Sequence, residues 1–292
     1  MSYQGGKQKI GKRIYEVLDT IEEYFEEDNR LDYLEPFVGF CGVMKHFASP
    51  KGGERKLTGC DSNKDVIAMW KATQRGWKPP ITCTKKRYEE LKNSKRVSGE
   101  RGFIGVACSY SGIFFVGYRG TQTFRNGSPT KRSGSPTKRS GSPTKRSGSP
   151  TKRSGSPTKS RTVSSAEMTA RSVNKIAKMV KNVKFKSCNY QDISPKNMLI
   201  YCDPPYASND YQQSSFFDFD SDRFWKIMKK WSKDNIVVVS EYKAPKDFKM
   251  IWQSKTNVMH NGKKNIKTEK LFVYNGLYEN MDAQLKRDIK NI

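Results

Sequence analysis

Histidine is nearly missing from this sequence. Only His46 and His260 occur in 292 residues, and neither has a patterned partner. A Ser-His-Asp triad and a histidine-ligated metal site are therefore not expected, and no bound metal is predicted. Long apolar runs are missing too. No stretch approaches the ~20 residues that span a bilayer, and Met1-Ser2-Tyr3-Gln4-Gly5-Gly6-Lys7 contains no apolar signal region. The expectation is a soluble, intracellular chain without a signal peptide, a transmembrane segment or a membrane partner. The six cysteines (Cys41, Cys60, Cys83, Cys108, Cys188 and Cys202) form no C-x-x-C pair, and several lie in apolar segments. They read as reduced core thiols. Acidic residues are scarce, with 29 Asp and Glu against 55 Lys and Arg and a net charge of +26. Charge of this sign and size favours a polyanionic partner, nucleic acid first and an anionic membrane second.

What is present is an alternation of strand and helix signals. Residues 8–27 carry Ile10, Ile14, Val17, Leu18, Ile21 and Phe25 at helical spacing. A strand is expected at 32–35, ending in Pro36-Phe37-Val38-Gly39, with a short helix at 42–47. A second strand at 56–60 runs into Asp61-Ser62-Asn63 and a helix reaching residue 74. Strand, turn, helix, strand, acidic residue, helix is the cue for a parallel α/β sheet. The pattern resumes with a helix at 164–180, strands at 183–187 and 198–202, a helix at 221–232 and the β-branched strand 236–240. A last strand at 270–274 reads as one of a closing pair beside the sheet. Residues 127–154 interrupt this order as four copies of Gly-Ser-Pro-Thr-Lys-Arg-Ser, and 155–160 are a fifth copy lacking its Arg. The tract has no apolar residue, so disorder is predicted for this basic loop. Its nine Lys and Arg face no acid. Without them, 46 basic residues remain against 29 acidic ones, still +17. Each copy holds Ser-Pro-Thr-Lys, at Ser128, Ser135, Ser142, Ser149 and Ser156. That resembles the substrates of proline-directed kinases; the plain reading is a neutral repeat expansion, and the sharper one is a tether to DNA phosphate that a kinase could switch off.

Asp203-Pro204-Pro205-Tyr206 directly follows an expected buried strand, at the end of an open α/β sheet where ligands bind. The lone pair of an adenine amine is delocalised into the ring and is a poor nucleophile. Two acceptors gripping its hydrogens favour a pyramidal nitrogen. The Asp203 carboxylate and the Pro204 carbonyl suit that task, the two prolines restrict the backbone, and Tyr206 offers a ring for stacking. Such a site acts by positioning and preorganised electrostatics, with no covalent intermediate. A rigid strand-end turn is the competing explanation. Similar Pro-Pro motifs also serve methyl transfer to cytosine N4, to RNA and to protein glutamine, so the tetrapeptide alone points to amine or amide methylation.

Taken together, six segments resemble the Dam-like, alpha-group DNA adenine-N6 methyltransferases, in their phage and large-virus branch. These are Tyr3-Gln4-Gly5-Gly6-Lys7, Glu35-Pro36-Phe37-Val38-Gly39, Asp61-Ser62-Asn63, Tyr201-Cys202-Asp203-Pro204-Pro205-Tyr206, Ser240-Glu241-Tyr242-Lys243-Ala244-Pro245 and Thr268-Glu269-Lys270-Leu271-Phe272-Val273. The resemblance implies a Rossmann-like, S-adenosylmethionine-dependent sheet with a target-recognition insertion. It divides the chain into a cofactor-binding part at 1–98, an insertion at 99–182 that includes the repeats, and a catalytic part at 183–292. It further implies that Asp203, Pro204, Pro205 and Tyr206 are catalytic. The S-adenosylmethionine site would draw on Tyr3, Lys7, Glu35, Phe37, Gly39, Asp61, Asp192 and Asp203. Lys7 is suited to the cofactor's carboxylate and Asp61 to its ribose hydroxyls, whereas a helix N-cap is the plain alternative for Asp61. The family's loop often reads Gly-Gly-Gly or Gly-x-Gly where this chain has Gly39-Phe40-Cys41-Gly42, so the Phe40 ring must point away from the ligand. Residues 101–119 hold Phe103, Tyr110, Phe114, Phe115 and Tyr118, either a packed cluster or the start of a DNA-facing platform. The implied partner is double-stranded DNA, met by a monomer, with a restriction nuclease as a conceivable companion that leaves no mark here. RNA adenine methylation and a catalytically silent DNA-binding protein are the alternatives.

Overall fold

A computed structural model describes residues 6–26, 29–119, 164–205, 219–260 and 263–292. The repeat tract, Tyr3 and Tyr206 lie outside the described residues. Within them, the strands are β1 (Asp32–Glu35), β2 (Leu57–Asp61), β3 (Lys184–Ser187), β4 (Met198–Cys202), β5 (Ile236–Ser240), β6 (Phe248–His260) and β7 (Lys263–Tyr274). They form one seven-stranded sheet in the order β3-β2-β1-β4-β5-β7-β6. The first five are parallel, and β7 is antiparallel to both β5 and β6. The alternating pattern leads to the parallel α/β part of this sheet, and the whole is the mixed, Rossmann-like architecture that the resemblance implies.

Period-two alternation explains how the sheet is covered. Tyr33, Leu199, Tyr201 and Val238 face one apolar cluster, built with α1 (Gly11–Glu26), α2 (Met44–Phe47), α3 (Lys64–Gln74), α5 (Gly99–Ala107), α6 (Ser165–Met179) and α9 (Ala283–Asn291). Leu34, Ile200, Cys202, Val237 and Val239 face the other, built with α7 (Ser221–Trp231) through Phe224, Trp225, Met228 and Trp231. With both faces covered, β5 is buried from Ile236 to Ser240, which is why it reads as an unbroken apolar run. In α1, Ile14, Val17, Leu18 and Ile21 are fully enclosed, and this is the stripe that the helical spacing picks out. Gly11 lets α1 meet the loop after β1, where a Cβ would lie 2.1 Å from the Gly42 carbonyl oxygen.

Some elements were not anticipated. Residues 85–93 and 99–107 are the helices α4 (Lys85–Asn93) and α5, and 275–280 and 283–291 are α8 (Asn275–Asn280) and α9. Helix α4 is mostly charged and buries only Tyr88 and Leu91, too few for a periodic signal. The stretch at 101–119 is largely a packed cluster. Phe103 and Phe115 are buried and Tyr88 meets Phe115 and Tyr118, while Tyr110 stays exposed. All six cysteines are free thiols, five of them buried.

Candidate active site

The strand order reverses between β1 and β4, so the crevice at their carboxyl ends is the switch point of the sheet. Each parallel strand delivers a turn there. After β1 comes Pro36-Phe37-Val38-Gly39, with Gly39 at φ 43°, a conformation that glycine takes without strain. The loop is held from below, because Trp70 Nε1 donates to the Gly39 carbonyl at 2.8 Å and Gln8 Nε2 donates to that of Phe40 at 2.7 Å. The Phe40 ring is buried edge-on against Trp70, so its bulk goes into the core. Phe37 packs in an aromatic group with Tyr190, Phe219 and Phe224 beside α7.

After β2, the half-buried Asp61 carboxylate accepts from Gly39 N at 3.0 Å and from Asn63 N at 2.8 Å. The N-cap of α3 is Asn63, whose side chain accepts from Asp65 N and Val66 N. Asp61 therefore has no capping duty. It ties the β2 end to the loop after β1, and a carboxylate with two bonds made keeps lone pairs for further donors. Burial raises its pKa to about 6 against the pull of those two amides. Glu35 is 3% exposed and receives the Tyr33 hydroxyl at 2.7 Å. Burial first, with the Asp203 charge adding to it, raises its pKa to about 8 despite the hydrogen bonds from Tyr33 and Met44 N–H. Asp192 is exposed in the turn Tyr190–Asp192 after β3.

After β4, Asp203 is half-buried, Pro204 is buried and Pro205 is half-buried. Lys7 comes from the opposite end of the sequence. Its Nζ lies 2.8 Å from Asp203 Oδ1 and 3.4 Å from Glu269 Oε2, with only 4% of the side chain exposed. Burial opposes the ammonium charge, but the two carboxylates outweigh it and the pKa is raised. Lys7 and Asp203 were both singled out from sequence. The ammonium is directed here to carboxylates of the chain. Glu269, on β7, has no assigned role in the sequence reading; its signal there is that of an acid among lysines in one of the resembling segments. Tyr242 joins this corner, with its phenol raised to about 12 by burial and by Glu269, Glu241 and Asp203. Lys270 Nζ donates to the Tyr242 carbonyl at 3.3 Å.

A Rossmann-like sheet with an acid-Pro-Pro turn, a glycine loop and a second-strand acid at its switch point belongs with the open α/β sheets that bind ligands at that crevice. Comparison with known families makes the assignment particular. The chain belongs to the D12 class N6 adenine-specific DNA methyltransferases, whose family model matches residues 3–109 and 150–268. The protein is thus a DNA adenine-N6 methyltransferase of a family that uses S-adenosylmethionine. No curated protein matches the chain.

Proposed function

We propose that this enzyme methylates the N6 amine of an adenine rotated out of duplex DNA, at the crevice between β1 and β4. The observation that carries this reading is Asp203. It sits directly after β4 at the switch point, held by Lys7 at 2.8 Å and followed by two prolines. In this reading the Asp203 carboxylate and the Pro204 carbonyl accept the two amine N–H bonds and turn the lone pair out of conjugation. Tyr206 stacks on the base, a contact worth about 1–3 kcal/mol. Rotating the nucleotide out costs roughly a few kcal/mol, which phosphate contacts on the basic surface offset. The Lys7 ammonium, 2.8 Å from Asp203 Oδ1, orients that carboxylate as an acceptor, and Glu269 holds the same ammonium from its other side.

The residues present fit S-adenosylmethionine. Asp61 retains acceptor capacity for ribose hydroxyls, Gly39 allows close approach of backbone, and Asp203 is an anion suited to the amino-acid end. Bound S-adenosylmethionine would supply an electrophilic methyl group on a sulfonium. The chain supplies shape and charge, with Tyr3, Lys7, Glu35, Phe37, Gly39, Asp61 and Asp192 as the proposed lining. Asp203→Ala should stay folded with reduced stability, because the buried Lys7 ammonium keeps Glu269, and should lose about three orders of magnitude in methylation rate, the scale of a removed preorganised group. A well-folded variant that methylates adenine at near the parent rate in a radiolabel assay would remove Asp203 from the chemistry.

A further inference from the structure

Strands β6 and β7 are longer than the sheet uses. The ladder of β7 with β5 covers Phe272 and Leu271, opposite Val239 and Ser240, and one more bond runs from Glu241 N to the Lys270 carbonyl. β7 pairs with β6 all the way from Tyr274 and Phe248 to Lys263 and His260. Because β7 runs antiparallel to β5, the residues before Leu271 continue past the carboxyl end of β5. That is the side on which Asp203 lies, and Glu269 reaches Lys7 there. The overhang past Lys270, residues 254–260 against 263–269, contains seven register pairs. At about 3.4 Å per residue it reaches roughly 25 Å beyond the sheet.

The base of this ribbon is fixed. Ile251 and Trp252 are buried, the Arg13 guanidinium lies 5.1 Å from the Trp252 ring centroid, and Arg13 donates to Ser254 Oγ at 2.7 Å. Beyond Glu269 the composition changes. Residues 255–268 contain Lys255, Lys263, Lys264, Lys267 and His260 and no Asp or Glu. Lys255 and Ile266 are exposed. A two-stranded ribbon with one sign of charge is marginal by itself in water, but it matches a polyanion, and ribbons of this width fit against duplex DNA.

We propose that the β6–β7 ribbon is a second DNA-contacting element, separate from the insertion between α5 and α6. It lies along the phosphate backbone beside the nucleotide that enters the Asp203 site, and the lysines of its sequence, at 255, 263, 264 and 267, supply the positive charge. The proposal rests on the duplex-DNA reading given under Proposed function. It assigns affinity to the ribbon and leaves sequence choice elsewhere, because phosphate contacts carry no base information.

The test is a salt series of dissociation constants for duplex DNA, comparing the parent with a variant carrying Lys255→Gln, Lys263→Gln, Lys264→Gln and Lys267→Gln. Each lost phosphate contact reduces the slope of log K against log salt by about 0.9. A slope shallower by about two to four units is expected, with the methylated sequence and S-adenosylmethionine affinity unchanged. An unchanged slope overturns the proposal. So does a variant that keeps the DNA slope but loses binding to anionic vesicles, since the ribbon would then be a lipid contact. If the fourfold variant loses cofactor binding, the four single variants decide, and no change of slope in any of them is again fatal. Failure of the Proposed function reading is separate, because it would show as absent adenine methylation whatever the ribbon does to DNA affinity.

Discussion

At the scale of single residues, the site concentrates carboxyl groups in a chain that is otherwise strongly basic. Glu35 is the most consequential of them for folding. Its folded pKa of about 8 lies well above the ordinary carboxyl value of 4.5, so at neutral pH the folded chain holds a proton there that the unfolded chain releases. Folding stability should therefore fall as pH rises from about 4.5 to about 8, by about 1.4 kcal/mol per unit from this group, and level off above. Glu35→Gln keeps the shape and removes the titration. Its stability should decline less steeply than the parent's between pH 5 and 8, and the two curves should run parallel above pH 8. Parallel curves across the whole range, in chemical denaturation, would show that Glu35 ionises normally.

At the scale of elements, α1 is joined to the lead-ins of β1 and β2 by one buried acid. Glu22 accepts from both terminal nitrogens of Arg55 at 2.8 Å and from Leu31 N at 2.9 Å, and Arg30 is 3.0 Å away. The Glu22 and Arg55 side chains are both fully enclosed. Arg55→Met leaves the acid with Arg30 as its charged partner and the Leu31 amide as a donor, and should destabilise the fold by about 3–5 kcal/mol, the cost of half a buried pair. Pairing it with Glu22→Leu should recover most of that loss. A loss below about 1 kcal/mol for the single variant, read from denaturant midpoints, would make the pair incidental. Helix α1 and strands β1 to β5 were legible in sequence because each carries its period and its turn residues locally. The ribbon of β6 and β7 was largely illegible, since lysine-rich strands show no apolar alternation and only the buried end at 270–274 gave a signal.

At the scale of the whole molecule, charge and the repeats dominate. The family match passes from residue 109 to 150 and so skips most of the Gly-Ser-Pro-Thr-Lys-Arg-Ser tract. Replacing 127–160 by a short Gly-Ser linker should leave cofactor affinity and the methylated sequence unchanged. It removes nine basic residues but leaves a net +17, so DNA binding should weaken and its salt dependence flatten without disappearing. An unaltered slope would make the tract a neutral expansion. A changed recognition sequence would place it within the specificity element.

The sequence alone determined the strand-helix alternation, the acid-Pro-Pro turn after β4, the Asp61 turn after β2 and the excess of positive charge. These are local properties, written in period, turn chemistry and composition. Tertiary structure decided which of them meet. Lys7 and Asp203 are 196 positions apart and are joined because the strand order places β1 beside β4. Glu269 reaches them because an antiparallel β7 carries its chain past the end of β5. Whether Asp61 caps a helix or ties two loops, where Phe40 points, and how far burial moves Glu35 depended on neighbours remote in sequence. No local pattern encodes those contacts, because burial and strand order arise only when the whole sheet is assembled.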